Sequence, residues 1–324
     1  KVADGNIMVN VPGVTLKNVT INGDLIVGDG VGDGDLILNN VKILGRLVVR
    51  GGGVNSIIII GGSVEGKVVI AKVDGEIRVS VQDGADVEVI VVDDGKDDVI
   101  IEGSIGTVEI NTPDVPVIIQ NATIDNVVVN CEGAADITVA NNSKVSYLVI
   151  GDSADGTTVN VSGQVTNIVT FAAGTSIFGT GTVGTVTANA GANNTSVTTP
   201  NTVVRNNGAT GVTAGGGSPV PANGSATNNG SGTGIITPSS GNTGGNSGTG
   251  NPPAPPIALP IYVPVTRVSV DGEATVGSTL KAEISPAYAT VKYQWMRANT
   301  VNGTYTEING ATSSTYTLGA ADAG

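Results

Sequence analysis

The sequence predicts an all-β protein, most of which winds into a parallel β-solenoid. Three observations predict it. Self-similar segments return about every 20 residues between residues 13 and 204. Inside each segment, apolar residues stand at every second position over short stretches, as strands buried on one face require. The composition agrees: 48 Gly, 40% hydrophobic residues rich in Val and Ile, and only 13% charged residues favour strands and turns over helices.

Residues 1–12 (KVADGNIMVNVP) are expected to form an N-terminal cap, because a solenoid ends in open sheet edges that need cover. Rungs then begin near Thr15, Leu36, Ile57, Ile77, Val99, Val117, Ile137, Thr158, Ile177 and Val197. Each has one grammar. In the segment 36–53, a first strand holds Leu36 and Leu38, and a tight turn holds Asn. A second strand holds Val41 and Ile43, a third holds Leu47 and Val49, and a Gly-rich corner closes the rung. A single rung cannot bury its apolar face; stacked rungs can, and they also pair each other's backbone groups. Asn18, Asn39, Asn121 and Asn141 recur three or four residues into their rungs, with Gly61 and Gly103 in the equivalent place of two others. Both residue types tolerate left-handed backbone, and a fixed offset would stack the amides into ladders. The hand is taken as right-handed, the rule for parallel connections. About ten rungs are expected, giving a rod on the order of 50 Å long.

From 205 to 260 the composition shifts to Gly, Ser, Asn, Thr and finally Pro without apolar period, which predicts a flexible linker. Residues 261–324 again read as short strands separated by turns.

Net charge is −13, and the whole excess lies before residue 205. An acidic rod repels phosphate, so nucleic acid is an unfavourable partner. No apolar run approaches a membrane span. The chain opens at Lys1 without a signal peptide, which reads as a mature or excised segment. There is no histidine, which removes Ser/His/Asp and Cys/His catalysis and the usual zinc sites. The lone Cys131 follows an apolar run and reads as a small buried or turn residue rather than a reactive thiol.

The remaining chemistry is carboxylate, basic or hydroxyl. Asp29, Asp33 and Asp35 share one Gly-rich corner, and oxygen ligands so placed suit Ca²⁺, the one cofactor considered; solvated turns are the plainer reading. Arg46 and Lys67 fall at one offset in adjacent rungs, as the base of a β-helix polysaccharide lyase would. Rungs of 18 to 22 residues leave no room for a walled cleft, however. Aromatic platforms for sugars are scarce: Tyr147, Phe171 and Phe178 are the solenoid's aromatics, and both Phe are expected in the core. From Gly156 to Val204 no residue is charged, and Thr180-Gly-Thr182, Thr185-Val-Thr187 and Thr198-Thr199 suggest a Thr-rich contact face.

Tyr293-Gln-Trp295, Gly303-Thr-Tyr305 and Ser314-Thr-Tyr316-Thr-Leu318 followed by Asp322-Ala-Gly324 resemble the bacterial immunoglobulin-like domains of surface proteins. The resemblance implies a C-terminally incomplete Ig-like β-sandwich over 261–324, with Trp295 in its core. Residues 19–53 resemble β-helix regions of S-layer-homology-bearing surface proteins of Gram-positive bacteria, though the anchor modules themselves do not occur in this sequence. The resemblances imply a secreted, cell-surface protein: a non-catalytic structural or adhesive module, with cell-wall or extracellular polysaccharide or other surface proteins as partners. A β-helix polysaccharide lyase or glycosidase is the alternative. Self-association into a filament, by stacked solenoid ends or exchanged strands, is another.

Overall fold

A computed structural model describes residues 1–228, 235–237 (backbone), 267–285, 291–298, 300, 303 and 305–322. It divides into two compact units, Lys1–Thr249 and Gly250–Gly324.

The first unit is a parallel β-solenoid of about 11 turns. Its third strand shows the stacking. Ile7, Leu25, Leu47, Val68, Ile90, Val108, Val127, Leu148, Ile168, Val186 and Val204 are successive in-register partners, one per turn. All but Ile7 are fully buried. The second strand stacks Ile21, Ile43, Val64 and Val87, and further on Ile105, Ile124, Val145, Val165 and Val183. The first strand stacks Val99, Val117, Ile137, Val159, Ile177, Val197 and Ala214. These columns face one interior. Each Val, Leu or Ile in it gains about 1.5–3 kcal/mol from burial, set against the entropy of ordering the strand.

The first and second strands run on through a left-handed residue: Leu36–Ile43 is one strand bent at Asn40 (φ 52). Asn18 (φ 53), Asn40, Asp83 (φ 52), Asn121 (φ 48) and Asn142 (φ 64) make this bend, as does Gly61 (φ 58). Asn39 and Asn141, expected in that role, lie one residue too early. In each Asn-Asn pair the second turns the corner; Asn39 still belongs to its strand, and Asn141 already lies in the turn. The expected ladder is present in one step, where the Asn40 amide donates to Asn18 Oδ1 at 2.8 Å.

Three boundaries differ from expectation. Residues 1–12 are no separate cap: Val2–Ala3 and Ile7–Val9 pair in parallel with the next turn and form a rung themselves. The outward-facing residues of these strands, Val2 and Met8, are themselves apolar, which hides the alternation. The solenoid also runs past 204. Thr213–Ala214 stacks in parallel on Ser196–Val197. The end is then closed by chain reversal, with Ser218–Pro219 antiparallel to Thr213–Ala214 and Ser225–Thr227 antiparallel to Val203–Arg205. Ile235–Thr237 adds one more antiparallel strand. Buried Val212, Ala214, Val220 and Ala226 carry these two- and three-residue strands, too short to show a period among Gly and Asn. The rest of the expected linker, 229–234 and 238–260, lies outside the described residues. Finally, Ile58 pairs with Ser80, two residues from the partner the 20-residue alignment assigns. A slip of two keeps the inward phase, so the apolar pattern does not resist it.

The second unit is antiparallel, consistent with part of a sandwich. Arg267–Asp271, Thr279–Ser285 and Thr315–Thr317 form one sheet, and Met296–Arg297 pairs with Thr306–Glu307. Trp295 is half-buried, its ring 5.6 Å from that of Tyr316, and its indole N–H donates to the Ser313 carbonyl at 2.9 Å. Asp322 accepts from the Tyr316 hydroxyl (2.8 Å) and the Gly319 N–H (2.7 Å) and pairs with Arg297 (2.8 Å). The Gly319 N–H, then the Tyr316 hydroxyl, hold its carboxyl below the ordinary range. Val268 and Val270 stand exposed at an apolar hollow that Ala282, Ile284 and Trp295 also line.

Candidate functional site

The acidic corners hold the solenoid together. Asp24 Oδ1 accepts the Arg46 backbone N–H at 2.7 Å, Asp97 accepts that of Gly75 at 2.6 Å, and Asp155 accepts that of Ala173 at 2.7 Å. Asn6 and Asn10 do the same for Asp24 and Gly30, both at 2.8 Å. Each bond joins adjacent rungs where the strand ladder stops and a backbone N–H would go unpaired.

The three carboxylates expected to suit Ca²⁺ do not converge on a common point. Asp29 pairs with Arg50 at 3.0 Å and Asp33 with Lys72 at 2.8 Å, while Asp35 lends its backbone carbonyl to the Gly13 N–H at 2.8 Å. Arg50 and Lys72 share with Asp29, Asp33 and Asp74 a hollow of about 330 Å³. Lys72 is inside the protein, its side chain 5% exposed, and its ammonium also donates to the carbonyls of Gly52 (2.7 Å) and Glu76 (3.1 Å). Built-in cations thus hold the carboxylates a calcium ion would need, and among the described residues no group of three His, Cys, Asp or Glu is placed to hold a metal. Asp29, Asp33 and Asp35, the residues of the Ca²⁺ expectation, thus share one corner without forming a cluster of that kind. The Lys72 hydrogen bond, then its charge, holds the Asp33 carboxyl below its ordinary value.

The basic pair is engaged in the same way. Arg46 and Lys67 do occupy equivalent places, since Leu47 pairs with Val68. Arg46 grips Asp24 at 2.8 Å, and Lys67 reaches Glu109, two rungs on, at 2.8 Å. The side chain of Glu109 is only 4% exposed. Cys131 is buried, its thiol donates to the Gly133 carbonyl at 3.2 Å, and burial pushes its pKa up.

Of the threonines expected on a contact face, Thr180, Thr182 and Thr198 are exposed, Thr185 and Thr187 are half-buried and Thr199 is buried, while others of the stretch turn inward. Thr157, Thr175 and Thr195 are buried at one corner, each donating its hydroxyl to the carbonyl three residues earlier, of Ala154, Ala172 and Ala192. Thr199 is buried against Thr202. Thr185 and Thr187 sit on a strand, but their partners in the previous rung are Asn167 and Val169, so no Thr array forms.

What this stretch presents outward is a groove of about 400 Å³ crossing three rungs. Asn142-Ser-Lys144, Ser162-Gly-Gln164 and Thr180-Gly-Thr182 line it, with Lys144, Gln164 and Thr182 in register. Gly163 and Gly181 form its floor. A side chain on Gly163 would strike the carbonyls of Ala140 and Ser143, and one on Gly181 the carbonyl of Gly163. The Ser143 hydroxyl faces inward to the Ile119 carbonyl (3.2 Å). Lys144 has no ion-pair partner among the described residues. Phe178, expected in the core, is 38% exposed two residues before Thr180, in register with Asn160 of the previous rung. Phe171 is half-buried. Sequence reasoning named only Thr180-Gly-Thr182 of this groove, because Ser, Gly and Asn elsewhere look like loop filler; the signal was three short polar triplets at rung spacing.

No protein-family model, curated protein or solved structure matches the chain. The groove is therefore judged on its own chemistry: hydroxyls, amides and one ammonium, lined by no carboxylate or thiol. Such a surface binds by hydrogen bonds and offers no acid–base pair.

Proposed function

We propose that the protein is a non-catalytic structural or adhesive module of a secreted, cell-surface protein. One observation carries this reading. Arg46 and Lys67, the residues a lyase of this architecture would use as base, are held by Asp24 and Glu109 in rung-to-rung ion pairs. Short, unbroken rungs and an interior of Val, Ile and Leu supply a stiff spacer rather than a cleft. Low aromatic content and a single buried cysteine in an acidic chain fit the extracellular expectation. Among the described residues, no helix is long and apolar enough to cross a membrane. The test is incubation of the full chain with acidic polysaccharides and Ca²⁺, read by ultraviolet absorbance of unsaturated products. No turnover is expected. Turnover that disappears in Arg46→Ala or Lys67→Ala would replace this reading by the enzymatic one.

A further inference from the structure

We propose that the groove formed by Asn142, Lys144, Ser162, Gln164, Thr180 and Thr182 binds an uncharged, extended polysaccharide. The proposal rests on the adhesive reading above and gives it a site and a ligand class.

Three features point to this ligand. The first is periodicity. Lys144, Gln164 and Thr182 are consecutive in-register partners, so polar groups repeat at the rung spacing of about 4.8 Å. A ligand using all three must itself be long and repetitive along the solenoid axis. The second is chemistry. Asn142 and Gln164 each donate and accept, the Ser162, Thr180 and Thr182 hydroxyls do both, and Lys144 adds three donors. Among the described residues, no intramolecular hydrogen bond uses these side chains, in contrast to Ser143, whose hydroxyl turns inward. Glycines at 163 and 181 let the three rungs pack closely here, since a side chain on either would strike the backbone of the rung before it. The third is charge. The groove opens onto Gly156–Val204, which has no charged residue, while residues 1–204 together carry the chain's net −13. A polyanion is repelled from such a rod, and a neutral chain is not.

The other candidates carry less. The hollow at Asp29 and Asp33 is filled by the protein's own cations, and the apolar hollow of the C-terminal unit is the inner face of a half-open sheet pair.

The experiment uses the full chain and three neutral hexasaccharides: a β-1,4-glucan, a β-1,4-mannan and β-1,4-linked N-acetylglucosamine. Amide resonances are followed during titration. At least one is expected to move signals of 142–144, 162–164 and 180–182 together. Gln164→Ala should weaken that ligand about fivefold, with an unchanged thermal melt. Thr182→Ala should weaken it as well. The proposal is overturned if none of the three shifts these signals at millimolar concentration, or if a shift persists undiminished in the Gln164→Ala/Thr182→Ala double variant. Release of new reducing ends from a bound glycan would instead overturn the non-catalytic reading and leave the site standing.

Discussion

Lys72 and Asp33 lie 39 residues apart in sequence yet meet at 2.8 Å, the ammonium 5% exposed and the carboxylate 84% exposed. The pair thus joins a buried cation to a solvated anion. Most of what holds Lys72 inside is backbone, the carbonyls of Gly52 and Glu76. Lys72→Met fills the same space without a donor and leaves those carbonyls unpaired. We expect a loss of about 1–3 kcal/mol in denaturant unfolding. Asp33→Asn should cost less, because its partner retains both carbonyls. Equal costs would place the stabilisation in the ion pair itself. In Lys72→Met the Asp33 carboxyl should titrate closer to its ordinary 3.8, as read by NMR.

Acid should loosen the rod from its corners. The hydrogen bond from Arg46 lowers the Asp24 pKa, that from Lys72 lowers Asp33, and those from Lys42 and Ser63 lower Glu65. Groups depressed in the folded state add stability above their ordinary values and lose it as pH falls through the folded ones. The melting temperature should therefore hold between pH 7 and 5 and fall below roughly pH 4. A melting temperature that rises on acidification would contradict the assignment.

Two glycines with positive φ separate conformational strain from collision. Gly84 (φ +72) has open space where a side chain would go, so Gly84→Ala should cost only the left-handed penalty of about 1–2 kcal/mol. Gly103 (φ +108) sits on the backbone carbonyl of Val81 in the adjacent rung, so Gly103→Ala must also push rungs apart. We expect it to exceed Gly84→Ala by at least about 1 kcal/mol in thermal or denaturant melts.

Cys131 should behave as packing rather than chemistry. Burial raises its thiol pKa, which removes the reactive thiolate at neutral pH. A thiol reagent should modify it slowly in the native protein and fast in denaturant. Rapid native labelling at pH 7 would refute this.

The solenoid was legible in the sequence because its interior is made by alternation, and Leu36, Leu38, Val41, Ile43, Leu47 and Val49 announce three strands without help from the rest of the chain. What was not legible depended on partners one rung away. Alternation cannot tell Ile58 beside Ser80 from a pairing two residues off, since both face the same side. Asp29 and Asp33 resemble a cation site until Arg50 and Lys72 are found holding them, contacts that span 21 and 39 residues. Thr157 and Thr175 look like surface until their hydroxyls are found closing buried turns. The groove was the least legible, because Gln164 gains meaning only between Lys144 and Thr182.

The reversal at Ser218–Pro219 and Ser225–Thr227 has a further consequence. Strand for strand, every rung before it pairs only with the rungs on either side, in parallel, whereas these strands run the other way and offer the stack no surface of its own polarity. The terminator therefore works without reference to how many turns precede it. Whole rungs can be duplicated or lost upstream while the end stays closed, so the reach of the rod is a quantity that evolution, or an engineer, can set one rung at a time.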